Sequence, residues 1–155
     1  MIINYSNQMV DKSKKSIFLA GPTIRTNEIT EWRLKAIKIF EKLNFDGIVF
    51  IPEYINMYVD GDYLTKQMLW EREALEAATV ILFWVPRDEK VLPGFTTNVE
   101  FGFWIHTKKI IYGRPDDAKH IRYLDWLYDY ELNKKPINDL EILINEAILM
   151  CENGK

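Results

Sequence analysis

The stretch GFTTNVEFGFW, residues 94–104, places one carboxylate, Glu100, in an otherwise nearly apolar run. Two chemistries fit it. Thr97-Asn98-Val99-Glu100 has the spacing of a capping box, in which the glutamate only satisfies a backbone N–H at a helix start. Alternatively, the carboxylate lies near the positive end of a helix in poorly hydrated surroundings. There it stays ionised but weakly solvated, which makes a usable nucleophile. Thr96 could then serve as the cap and leave Glu100 free. Gly102 is a second oddity, because glycine inside a helix costs about 1 kcal/mol relative to alanine. Close packing of another backbone, or of a ligand, would explain it.

A second carboxylate, Glu71, lies in WEREALEAA directly after Trp70. Glu73 and Arg72 beside it read as a solvated face, and Trp70 does not. AGPT at 20–23 closes an apolar run with a turn. Its exposed N–H groups could meet a phosphate or hydroxyl, or it could be a plain strand exit. It is neither a GxGxxG nor a Walker loop. Arg25, Arg33 and Arg87 could hold a phosphate or carboxylate, or be solvated surface charges. His106 and His120 have no partner at a recognisable spacing, and no nucleophile elbow occurs. Cys151 is the single cysteine, and no Cys/His cluster has metal-ligand spacing.

These residues need elements to position them. Residues 16–21 (SIFLAG), 48–51 (IVFI), 80–85 (VILFWV) and 109–112 read as strands. Helical spacing predicts helices over 28–43, 65–78, 97–107, 123–128 and 137–150, with Thr26 or Asn27 capping the first. Residues 53–63 read as a polar and aromatic loop. Strand and helix alternate throughout, which implies a parallel sheet with helices on both faces. Ligands bind such sheets at the carboxyl ends of the strands. Those ends are 20–23, 52–54, 86–87 and 113–114, and Glu100 falls near that rim.

The chain has 155 residues, a net charge of -3 and a pI near 5.5. No basic excess is present to displace counterions, so a nucleic-acid polymer is excluded as main partner. Small molecules, including nucleotides, fit. No apolar run approaches the roughly 18 residues of a membrane span. The opening MIINYSNQMVDKSKK has no signal-peptide order. Residues 1–15 read as a loose N-terminal arm before one domain at 16–155, and the protein as cytoplasmic. Five Trp, eight Tyr and eight Phe supply a core, an interface, or a pocket that stacks a flat ring. RYLDWLYDY at 122–130 suggests interface or lid packing.

IFLAGPT, WR, WEREALEAATVILFWVPR, GFTTNVEFGFW and RYLDWL occur in an order and spacing that resemble the nucleoside 2-deoxyribosyltransferase-like proteins. The resemblance spans roughly residues 16–148. It implies a flavodoxin-like three-layer α/β sandwich around a parallel sheet. It also implies cleavage of the N-glycosidic bond of 2′-deoxynucleosides, with Glu100 as nucleophile and Glu71 holding a sugar hydroxyl or assisting the base. Asn98 would orient the glutamate or sugar. Phe18, Gly21, Pro22, Thr23, Arg25, Trp32 and Thr97 would line the substrate pocket. The implied chemistry needs no metal or redox cofactor, and a homo-oligomer is expected. Characterised members carry a tyrosine where Phe18 stands and an acid in the loop that here reads PGFTTN. Hydrolysis with water as acceptor, and a non-catalytic nucleotide-binding module, are the alternatives.

Overall fold

Five short strands, rich in β-branched and aromatic residues, carry the core. They are β1 (Ile2–Tyr5), β2 (Ser16–Ala20), β3 (Ile48–Ile51), β4 (Val80–Trp84) and β5 (Ile110–Gly113). All pairings are parallel, in the order β1-β3-β2-β4-β5. The computed structural model describes residues 1–26, 28–55 and 63–154.

Every residue of β2, β3, β4 and β5 is buried, as expected when helices cover both faces of a parallel sheet. Helices α1 (Glu31–Lys42) and α5 (Leu140–Asn153) supply the side chains that pack with Ile17, Leu19 and Leu82 on one face. Helices α2 (Tyr63–Ala77), α3 (Phe95–Trp104) and α4 (Arg122–Leu132) cover the other, with Phe18, Ala20 and Phe83. This is the expected α/β flavodoxin-like three-layer architecture. The period-2 alternation of β2 sends Phe18 and Ala20 toward α2 and α3.

Several boundaries differ from the sequence reading, each for a local reason. Ile2–Tyr5, expected within a loose arm, pairs along β3 as an edge strand. The first helix begins at Glu31 with Thr30 as N-cap, rather than at 28. Thr30 Oγ1 accepts from Ile24 N and donates to Glu53 Oε2, both at 2.9 Å, so residues before it stay in the loop. Of the two expected caps, Thr26 only accepts from Glu28 N, and Asn27 lies outside the described residues. Most of the 53–63 loop does too. Ile137, expected to open the last helix, instead extends the sheet beside Gly113. Asp139 caps α5 through Ile142 N at 2.9 Å.

Although it is rich in apolar residues, α3 is not buried all round. Only Thr97, Phe101 and Trp104 are buried. Phe95 is 73% and Val99 71% exposed, which leaves an apolar stripe on the outer face. Gly102 is exposed, and a Cβ there would meet nothing within 4 Å, so close packing does not explain it.

Candidate active site

Two glycine-dependent turns bring the ends of β2 and β4 together. Gly21 has φ +150°, and a Cβ there would lie 2.1 Å from the Trp84 carbonyl oxygen. Gly94 has φ +59° and is the N-cap of α3, where a Cβ would crowd Pro22. Only glycine lets the β2 exit press against the β4 exit and the start of α3.

Because α3 starts at Phe95, Glu100 lies in its second turn and cannot close a capping box. No side chain caps this helix. Phe101 is fully buried against Phe83 and Tyr112, each at 5.1 Å, which fixes the rotation of α3. Glu100 is thereby turned into a cleft of about 550 Å³ at the carboxyl ends of the strands. No hydrogen bond reaches its carboxylate from the described residues.

Glu71 comes from α2 and lines the same cleft. Trp70 orients it, packing against Phe18 at 6.2 Å and Phe50 at 6.0 Å. One helical turn earlier, Gln67 Nε2 donates to Glu71 Oε1 at 2.8 Å and to the Pro52 carbonyl at 2.7 Å. Glu73, by contrast, is exposed and pairs with Lys12.

Loss of hydration pushes the Glu100 carboxyl up to about 8, and the negative charge of Glu71 adds to the rise. Burial likewise pushes Glu71 up to about 7, against the Gln67 hydrogen bond and the Arg33 charge, with Glu53 adding to the rise. Near pH 7 the pair therefore holds on to a proton, and Glu100 is its tighter site. A carboxylate pair of this kind can act as nucleophile and proton donor in one turnover.

Arg33 is not a solvated rim charge. It is fully buried, as is Glu53, and the two form an ion pair at 2.9 Å. Its Nε donates to the Leu19 carbonyl at 3.2 Å, Nη1 to Thr23 Oγ1 at 3.0 Å and Nη2 to the Gly21 carbonyl at 3.0 Å. Glu53 also accepts from the Thr30 N–H at 2.9 Å. Arg87 is buried as well. It donates to Asn98 Oδ1 and, at 2.8 Å, to the His120 carbonyl, clamping the β4–α3 loop onto the helix.

A family model described as nucleoside 2-deoxyribosyltransferase like matches residues 14–118. The chain belongs to the nucleoside 2-deoxyribosyltransferase-like family. None of the curated proteins gives a significant match. The family segment runs from just before β2 to just after β5, so it contains Glu71, Glu100 and every residue lining the cleft. Strand β1 and helices α4 and α5 lie outside it.

Of the residues expected at this family's site, Glu100, Glu71, Phe18, Gly21, Thr23, Arg25 and Thr97 line the cleft. Three do not. Trp32 is buried beneath the turn, with Nε1 donating to the Pro22 carbonyl at 2.9 Å. Pro22 packs against the position of Gly94. Asn98, two residues before Glu100 and so about 200° around the helix from it, faces Arg87 and a neighbouring cavity of about 270 Å³. Phe18 offers no hydroxyl, and its ring forms cleft wall and core. Sequence reasoning missed Gln67, Glu53 and the burial of Arg33. Two signals were available. Gln67 precedes Glu71 by one helical turn, and Arg33 shares the helical phase of Ala36 and Phe40, both fully buried.

Among the described residues no helix is long and apolar enough to cross a membrane. No group of three or more His, Cys, Asp or Glu side chains there could hold a metal ion.

Proposed function

We propose that this protein cleaves the N-glycosidic bond of 2′-deoxynucleosides and transfers the sugar to another nucleobase. The observation that carries the reading is the pair Glu71 and Glu100. The two carboxyls line one nucleoside-sized cleft, and both are held well above their ordinary range.

In the first step the Glu100 carboxylate oxygen attacks C1′ as the C1′–N bond breaks. The bonding pair leaves on the base nitrogen, which takes the Glu71 proton. The transition state is an oxocarbenium-like sugar, stabilised by the negative charge on one face. In the second step the nitrogen of an incoming base attacks C1′ and releases Glu100. The proton of that nitrogen returns to Glu71. Two displacements retain the configuration at C1′. Glu100 must ionise while Glu71 is protonated, so substrate binding has to move the shared proton from one to the other. Arg25, at the exposed mouth of the cleft, is the cation available to an anionic substituent of the substrate.

A homo-oligomer is part of the proposal. What supports it is the outer wall of the cleft: Leu64, Met68 and Phe95 line it, yet each is more than half exposed. A second copy packed there would close the apolar opening.

The test is to incubate the protein with deoxynucleosides, with and without a second free base, and to chromatograph the products. A new nucleoside is the expected result. Free deoxyribose in its place would mean that water is the acceptor. Neither product, across purine and pyrimidine substrates, would overturn the reading.

A further inference from the structure

A guanidinium has five N–H donors, and four of those of Arg33 are committed to Leu19, Gly21, Thr23 and Glu53. The first three acceptors lie on a single stretch, the end of β2 and the turn after it. Gly21 and Thr23 from that stretch wall the cleft. Stability alone is a poor explanation for such a group. A buried ion pair can often be replaced by apolar residues at no cost, because desolvation offsets much of the attraction. The pair here is free of solvent on both sides.

The placement of its charge offers a better explanation. Among the described residues, four charged side chains line the cleft: Arg25, Arg33, Glu71 and Glu100. Arg25 is exposed, so water screens it. Arg33 is not screened, and its charge favours the ionised form of both glutamates. Glu53 opposes it at Glu71.

We propose that Arg33 is a positioning residue of this site: it fixes the turn that walls the cleft and supplies the permanent positive charge against which Glu100 ionises. Glu53 holds the guanidinium in place and moderates its charge at Glu71. Loss of Arg33 would make Glu100 harder still to ionise at neutral pH and so slow its attack. The catalytic consequence rests on the glycosyl-transfer reading. The electrostatic role does not.

The test separates the two. The full chain is labelled with 13C at the glutamate carboxyls, and the midpoints of Glu71 and Glu100 are followed by NMR. In the double variant Arg33→Met/Glu53→Met no lone charge is left buried. The Glu100 midpoint is expected to rise by about one pH unit or more. That of Glu71, which also loses the repulsion of Glu53, moves less. Nucleoside cleavage at pH 7 falls at least tenfold in kcat and recovers partly at higher pH. A folded double variant with an unmoved Glu100 midpoint overturns the proposal, even if its thermal stability drops. In the unaltered protein, the Arg33 Nη 15N resonances should shift with the Glu100 titration. Resonances that ignore it overturn the proposal without any variant. If no nucleoside is cleaved at all but the Glu100 midpoint rises as stated, the transfer reading fails and the role of Arg33 stands.

Discussion

Glu71 and Glu100 stand on neighbouring helices and line one cleft, and the charge of Glu71 is among the causes that hold the Glu100 carboxyl up to about 8. They therefore titrate as a pair, and whatever ionises one makes the other harder to ionise.

The rate should show this directly. The productive state has one proton on the pair, so kcat/KM is expected to peak between about pH 7 and 8 and to fall on both sides. Acid adds the second proton and removes the nucleophile. Base removes the last proton and with it the donor to the leaving base. Glu71→Gln should abolish the alkaline limb and leave the acidic limb near its place, since Glu71 is already neutral where Glu100 takes up that proton. The expected loss in kcat is about 10²–10⁴-fold. A pH–rate series of both proteins decides it.

Replacing the proposed nucleophile should inactivate and stabilise at once. The Glu100 carboxyl is raised from its ordinary 4.5 to about 8 in the folded chain. Its stabilising contribution is complete below the unfolded value and is lost as pH rises through the folded one. Glu100→Gln removes that pH dependence. Urea unfolding at pH 8.5 should show a gain of about 1–3 kcal/mol, with little difference at pH 4. Turnover should fall by about 10³-fold or more. Had Glu100 been a cap, the variant would instead lose about 0.5–2 kcal/mol.

Two glycines should respond in opposite directions. Gly21→Ala drives a methyl into the Trp84 carbonyl at a φ that side chains rarely adopt. It should cost about 2 kcal/mol or more and distort the cleft wall. Gly102→Ala places a methyl in open solvent on a helix. It should gain about 0.5–1 kcal/mol. Paired thermal or urea melts measure both.

The exposed apolar wall should govern assembly. Phe95→Glu puts a charge where a second copy is proposed to pack. Light scattering after size exclusion should give a smaller particle than the unaltered protein at the same concentration. Identical masses would argue against a partner on this face.

Sequence alone settled the alternation of strand and helix, because apolar period 2 and period 3.6 are local properties of the chain. It also settled the family, through blocks such as WEREALEAATVILFWVPR and GFTTNVEFGFW. It placed Glu100 near the strand-end rim, since a parallel sheet dictates where helix starts lie. It could not tell a cap from a free carboxylate. That depended on where α3 begins, which the left-handed Gly94 and its contact with Pro22 decide. Nor could it see that Arg33 and Glu53, 20 residues apart, neutralise each other inside the protein. Nor could it assign Asn98 to Arg87 and the cavity beside the cleft. Burial and charge pairing depend on which surfaces meet in three dimensions. The carboxyls of Glu71 and Glu100 are ordinary acids in the sequence. Only the folded chain, by excluding water and setting them against each other, raises them into the range where proton transfer is possible at neutral pH.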